Sequence, residues 1–182
     1  MKAFWVLGLL ACSAGAAAEV RDATAAGFTV ENTRMVAVDR NTAWRALIDD
    51  VDRWWPKDHS WWGADSKLRI EPRAGGCFCE AVESDPEGGR QAEHMRVAFV
   101  EPGKLLRMTG GLGPLQGMGL HGALEFRLTD EGKGTRITLW YRAGGYTPDD
   151  LSKFAPVVDR VQGQQLGALA DYLAKKLPGE GG

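Results

Sequence analysis

Two cysteines separated by one phenylalanine are the clearest candidates for chemistry in this sequence. Cys77 and Cys79 fall in a predicted strand, where residues two apart face the same side. Two such thiolates could bind Cu(I) or Zn²⁺, but a metal needs further ligands, and neither His59 nor His94 has ligand-like spacing to the pair. A disulfide is disfavoured because an extended i, i+2 pair is too splayed for a relaxed bridge. The pattern favours simple packing, with metal binding or redox use as the alternatives, and predicts no cofactor.

His94 is the first candidate for a general base. Strand alternation places His94 and Arg96 on one face and Met95 on the other. If the Met95 face is the core, His94 and Arg96 are solvated, and the sequence favours this interpretation. If a cavity lies over His94 instead, it becomes a base beside an arginine that can bind a carboxylate. His59 is the alternative base. No nucleophile–base–acid set is apparent, which favours binding over catalysis.

Tryptophans cluster in one short region. Five of the seven lie between Trp44 and Trp62. Large aromatic rings bury much apolar area while keeping an indole N–H that needs a partner. The cluster therefore predicts the wall or lid of a pocket, with one or two rings facing the cavity and the others packing the helices. The candidates are Trp54, Trp55, Trp61 and Trp62.

The glycine-rich stretch 110–119 is not a nucleotide loop. It lacks the lysine and hydroxyl that such a loop uses, and no strand–loop–helix pattern surrounds it. Its glycines favour a bulged or mobile connection between two strands. Leu112, Leu115 and Met118 are apolar residues in this stretch, so a gate at a cavity mouth is a further possibility.

The overall composition excludes some partners. The formal net charge is −2 and the isoelectric point is near 5.9. The sequence therefore lacks the excess of positive charge with which proteins attract nucleic acid or an anionic membrane. No apolar run reaches the roughly 20 residues that a membrane-spanning helix needs. The sequence therefore predicts no nucleic-acid partner and no transmembrane segment, and it leaves the oligomeric state open.

The first residues resemble an export signal. Lys2 precedes an apolar core at 3–11, and three alanines at 16–18 form a small-residue cleavage site. We therefore predict a signal peptide at 1–18 and a linker at 19–27, with a periplasmic or secreted mature protein. The alternative is a lipoprotein in which Cys12 carries the lipid.

The remaining chain alternates between strands and helices. A long strand, Gly27–Val38, precedes a helix that begins at Asn41 or Thr42 and ends before Pro56, and then a short helix or turn. Six shorter strands follow, separated by glycine and proline turns. These strands are Leu68–Glu71, Cys77–Glu83, Glu93–Val100, Lys104–Thr109, Leu120–Leu128 and Thr135–Ala143.

A long amphipathic helix ends the domain. It opens at Asp149 and Asp150 and closes at Lys175 and Lys176, and residues 178–182 are predicted to be a flexible tail. This order predicts an α+β protein in which an antiparallel sheet carries its helices on one face. A straight helix cannot touch a bent sheet everywhere, so we expect a ligand cavity between them.

Several strings along this order match a known superfamily. They are Thr42-Ala-Trp-Arg-Ala-Leu47, Val51-Asp-Arg-Trp-Trp-Pro56, Glu71-Pro-Arg-Ala-Gly-Gly76, Val100-Glu-Pro-Gly-Lys-Leu-Leu106 and Gly134-Thr-Arg-Ile-Thr-Leu139. Over residues 28–177 the chain resembles the START-like (SRPBCC, or helix-grip) superfamily. The likeness is greatest to its polyketide-cyclase/dehydrase and heat-shock ATPase-activator-like branches.

The resemblance implies a seven-stranded antiparallel sheet wrapped around the C-terminal helix, with a hydrophobic cavity. Members bind lipids, sterols or polyketides, and some catalyse cyclisation or hydrolysis, but they share no catalytic motif. We therefore expect this protein to bind a small hydrophobic or amphipathic molecule. A cyclase or hydrolase that uses a cavity histidine, and an envelope protein-interaction module, are the alternatives. The expected ligand-binding residues are Trp54, Trp55, Trp61, Trp62, Met95, Leu112, Met118, Phe126, Tyr141 and Val158.

Overall fold

The computed structural model describes residues 17–85 and 89–176. Most of the predicted signal peptide, its Cys12 and the predicted tail at 178–182 lie outside these residues. The strands within them are β1 Ala17–Thr24, β2 Gly27–Val36, β3 Ser66–Ile70, β4 Cys77–Val82, β5 Gln91–Glu101, β6 Leu105–Gly110, β7 His121–Glu131 and β8 Gly134–Gly144. The α-helices are α1 Arg40–Asp49, α2 Val51–Trp54, α3 Pro114–Gly117 and α4 Ala155–Lys176.

All the described strands join one antiparallel sheet in the order β1-β2-β8-β7-β6-β5-β4-β3. Helix α4 lies across its inner face, packs most closely against β2 and buries Leu166, Leu169 and Leu173. The alternating apolar residues of β7 and β8, such as Phe126 and Leu139, are buried in the same hydrophobic core. This arrangement confirms the predicted helix-grip fold. No helix of the described residues is long and apolar enough to cross a membrane.

The sheet has eight strands rather than the predicted seven. The additional strand, β1, occupies most of the segment that we predicted to be a linker at 19–27. It pairs with β2 through register partners such as Val20 and Val30, and Arg21 binds Glu31 across the pair at 2.6 Å. Strand β1 lies at the sheet edge with mostly exposed side chains, so it lacks the apolar alternation by which strands are detected in a sequence.

Both long helices begin at positions other than those predicted. The α1 cap is Asp39, whose carboxylate accepts hydrogen bonds from the backbone N–H groups of Asn41 and Thr42, a pairing typical of acidic N-caps. Helix α4 begins at Ala155, because residues 151–153 form a separate 3₁₀ turn that Asp150 caps. Helix α2 ends at Trp54, before Pro56 as predicted.

Candidate functional site

A cavity of about 520 Å³ lies under the N-terminal half of α4. Its walls come from α4, from the turn region after α2 and from the segment that joins β6 to β7. The lining is predominantly apolar, which is typical of sites for small organic molecules, whose volumes run from about 300 to 1,000 Å³. Apolar lining residues include Trp55, Leu112, Leu115, Met118, Phe154 and Val158. Polar lining residues include Asp58, His59, His94, Gln162 and Gln165.

An irregularity in β5 turns His94 into this cavity. In the β4–β5 pairing Phe78 lies opposite Met95, and Cys79 lies opposite Glu93. His94 is therefore an extra residue without a partner, as in a β-bulge. Both His94 and Met95 are buried as a result, at 4% and 1% exposure. The favoured prediction of a solvated His94 is wrong, because strict alternation fails at a bulge.

His94 forms a hydrogen bond with a buried glutamate. Its Nε2 lies 2.7 Å from Oε2 of Glu80, a side chain with no solvent exposure. The other oxygen, Oε1, accepts hydrogen bonds from the backbone N–H of Trp61 at 2.8 Å and from the hydroxyl of Ser66 at 2.5 Å. Glu80 thus connects the imidazole to the tryptophan-rich wall of the cavity.

Glu80 is a residue that the sequence-based reasoning missed. It lies in β4 between Phe78 and Val82, which share its inward-facing side of the strand and are buried with it. The sequence does contain a signal for it, because Glu80 is an acidic residue on the apolar side of a strand. Acidic residues are almost never fully buried without a partner, so this position predicts a buried polar contact.

Burial lowers the pKa of His94 below its usual value, and the nearby Glu80 only partly opposes this effect. The imidazole is therefore neutral at pH 7. The contact with Glu80 assigns the N–H to Nε2, which leaves the lone pair on Nδ1. Nδ1 has no hydrogen-bond partner within the described part of the chain. It can accept a hydrogen bond or a proton from a molecule in the cavity.

Acidification is expected to weaken the fold through His94. Because the folded-state pKa is depressed, the unfolded chain takes up a proton on His94 at a higher pH than the folded chain does. The free energy of unfolding therefore falls as the pH drops from about 6.5 toward the lower folded-state pKa, and His94 adds no pH dependence above that window. Urea unfolding between about pH 7.5 and pH 5 should show a smaller loss for His94→Gln than for the wild type. Equal slopes would contradict a buried, neutral His94.

The segment at residues 111–120, here called the cover segment, closes one side of the cavity. It contains α3, with Leu115 buried. The hydroxyl of Tyr141 accepts a hydrogen bond from the backbone N–H of Leu112 at 3.2 Å, and burial raises the pKa of Tyr141 to about 12. Gln116 donates from Nε2 to the carbonyl of Glu93 at 2.6 Å. The backbone at Gly113 has a φ of 58°, a conformation that favours glycine.

Two glutamines of α4 line the cavity without hydrogen-bond partners. Both amide atoms of Gln162 and the Oε1 of Gln165 are buried and unpaired, and the two side chains are only 1% and 4% exposed. A buried polar group without a partner destabilises a fold by about 1–3 kcal/mol. The Nδ1 of His59, at the same cavity, is also buried and unpaired. The cavity therefore carries unused hydrogen-bonding capacity.

A family model described as Activator of Hsp90 ATPase homolog 1-like protein matches residues 37–174. The chain belongs to this family. The match spans the region between α1 and the end of α4, including the cavity walls. It places the protein in the START-like (SRPBCC) superfamily, as the sequence strings predicted. No curated protein sequence matches the chain.

Solved structures share the family fold at low identity. CalU16 from Micromonospora echinospora is 16% identical with a TM-score of 0.57, over 90% of this chain and 87% of that chain. MLL2253 from Mesorhizobium loti is 21% identical with a TM-score of 0.54, over 81% and 98%. NE0264 from Nitrosomonas europaea is 21% identical with a TM-score of 0.56, over 81% and 95%. These similarities concern the fold alone.

The structure brings most of the predicted site residues to this one cavity. Those that line it are Trp55, Trp61, Leu112, Met118, Tyr141, Val158, His59 and His94. They come from the turn region after α2, the bulged strand β5, the cover segment, β8 and α4. The sequence could not show that these elements meet at one place, because the long-range strand pairing brings them together.

Five predicted site residues lie elsewhere. Trp54 packs in the core and donates its indole N–H to the carbonyl of Ala46 at 3.0 Å. Met95 and Phe126 are buried within the apolar core. Trp62 is partly exposed and is not among the cavity-lining residues. Arg96 points outward, where it contacts Glu93 and the carbonyl of Gly75, so it cannot assist His94.

Cys77 and Cys79 form a disulfide, which corrects the prediction that this pair is too splayed to bridge. Their Cα atoms are 5.4 Å apart, shorter than the roughly 6.6 Å of two regular strand residues and within the usual disulfide range. The pairing register with β5 also shifts beside them, between Phe78 and Cys79. The bonded sulfurs cannot act as thiolate metal ligands in this oxidised form.

Proposed function

We propose that this protein binds a small apolar or amphipathic molecule in the cavity under α4. The observation that supports the proposal is a cavity of about 520 Å³ with a largely apolar lining, within a fold whose sheet and terminal helix surround it. Burying the apolar surface of a ligand there supplies affinity, and the few polar groups orient it.

Filling the cavity should weaken this binding. Val158 lines the cavity from α4, so Val158→Trp is expected to place a ring in the ligand's space. We expect it to weaken binding of the neutral fluorescent probe N-phenyl-1-naphthylamine by about tenfold or more. The matched control is Ala174→Trp, which adds the same ring to an exposed position of the same helix and should leave binding unchanged. Wild-type affinity in a folded Val158→Trp protein would refute the proposal.

A second candidate function is acid–base catalysis on the bound molecule. The Glu80–His94 pair favours it, since a neutral imidazole held by a carboxylate is a common general base. His94→Gln should then abolish turnover of a ligand that co-purifies with the protein while its binding persists. Turnover that survives this substitution would rule out His94 as the base, and a wild-type protein that converts no such ligand would leave binding as the function.

Export to the periplasm or the exterior stays a prediction from the N-terminal sequence. The Cys77–Cys79 disulfide supports it, because disulfides persist in oxidising compartments and are rare in reducing ones.

A further inference from the structure

The two unpaired glutamines of α4 point to the kind of molecule that the cavity accepts. Gln162 and Gln165 are three residues apart, so their side chains lie on the same face of the helix, one turn apart. Both line the cavity and both are at least nine-tenths buried. The oxygen atoms of both amides and the nitrogen of Gln162 lack partners.

The stability of the ligand-free protein does not explain why glutamines occupy these two buried positions. An apolar side chain of similar size would fill the same space without leaving buried donors and acceptors unpaired. The hydroxyl of Tyr141, by contrast, has a partner in Leu112. Three of the four buried, unpaired side-chain atoms in the described cavity wall lie on this one stretch of α4, and the fourth is Nδ1 of His59. A ligand's polar group would meet the amides on α4.

The charges around the cavity exclude an ionised acid. No lysine or arginine occurs among the described residues that line it, whereas Asp58 does. A carboxylate entering the cavity would lose its hydration without gaining a cation as a partner. The free energy of desolvation is large for a charged group, so such a ligand is disfavoured. A neutral hydroxyl both donates and accepts hydrogen bonds, which matches the unpaired oxygens of both amides and the unpaired N–H group of Gln162.

We propose, on the basis of the proposed binding function, that the cavity selects a neutral amphiphile whose hydroxyl-type head group binds Gln162 and Gln165. The apolar body of the molecule contacts the aromatic and aliphatic walls, and the head group replaces the missing partners of the amides. Molecules with the same body and a carboxylate head are rejected.

Three probes built on a ten-carbon chain, which compete with N-phenyl-1-naphthylamine, test the proposal. They are 1-decanol, its methyl ether, which only accepts hydrogen bonds, and decanoate, compared at about pH 8, where decanoate is ionised. We expect decanol to bind about tenfold or more tightly than decanoate and several-fold more tightly than the ether. Decanoate binding as tightly as decanol would overturn the proposal.

The double variant Gln162→Met/Gln165→Met removes the amides at similar volume. We expect it to weaken decanol binding by about tenfold more than it weakens binding of the fluorescent probe, and to unfold at a higher urea concentration than the wild type. Gln164→Met, on the exposed side of the same helix, is the control and should change neither property. Unchanged decanol affinity in the double variant would overturn the inference alone, whereas failure of the wild type to bind the fluorescent probe would overturn the binding function itself.

Discussion

Replacing Glu80 with leucine is expected to lower the free energy of unfolding by about 3–5 kcal/mol, because it leaves several buried hydrogen-bond donors without an acceptor. The carboxylate is fully buried and accepts hydrogen bonds from the backbone of Trp61, the hydroxyl of Ser66 and the ring of His94. Leucine satisfies none of these donors. Urea unfolding at pH 7, followed by far-UV circular dichroism, measures the effect.

Two further variants test whether the loss arises from the hydrogen bonds. Glu80→Gln keeps one acceptor oxygen, so we expect an intermediate loss of about 1–3 kcal/mol. Glu93→Leu removes an exposed glutamate from the neighbouring strand, and it should change stability by no more than about 0.5 kcal/mol. Leucine at position 80 with wild-type stability would show that this polar cluster does not hold the cavity wall.

Replacing Trp55 with alanine is expected to lower the free energy of unfolding by about 3–5 kcal/mol, the usual range for a buried aromatic residue. The ring is 5% exposed and packs edge-on against Phe78 at a centroid distance of 5.0 Å. Its indole N–H donates to the carbonyl of His59 at 3.1 Å. Trp61 is 48% exposed, so Trp61→Ala should remain within about 0.5 kcal/mol of the wild type.

The Trp55→Ala protein should also gain cavity space next to the existing one. We therefore expect added indole to raise its thermal midpoint more than that of the wild type, because a ligand that binds only the folded state stabilises it. Equal midpoint shifts in both proteins, or an equal loss of stability in Trp61→Ala, would show that Trp55 is not a structural wall of the cavity.

The architecture could be predicted from the order of its elements, because the long apolar stripe of α4 and the alternation in β7 and β8 are strong local patterns. Strand β1 escaped detection because edge strands need only one partner and can leave most side chains in water. Asp149 and Asp150 resemble the start of a helix in the sequence. In the structure Asp150 caps only a short 3₁₀ turn, so α4 begins later than this pattern predicts.

The site was harder to predict than the fold, because its chemistry depends on an irregular strand pair. Because of the bulge at His94, this side chain lies on the opposite side of the sheet from the one that strict alternation assigns. The short distance between the Cα atoms of Cys77 and Cys79 occurs next to the same register shift. Neither the burial of His94 nor this distance can be predicted from a pattern that assumes regular strands. The burial of Glu80 could have been predicted, because Glu80 alternates with apolar residues in β4. Its contact with His94 could not, because the pairing register of β4 and β5 determines which residues meet.

The attachment of the cover segment has a kinetic consequence. This segment closes the cavity with a single helical turn, and two hydrogen bonds, from Leu112 to Tyr141 and from Gln116 to Glu93, fasten it to the sheet. Opening it requires few bonds to break, whereas moving α4 would disrupt the core. The dissociation rate of a bound ligand should therefore depend on the cover segment. Its equilibrium affinity should depend instead on the contacts that α4 and the sheet make with it. Residence time and affinity can thus change independently in this protein.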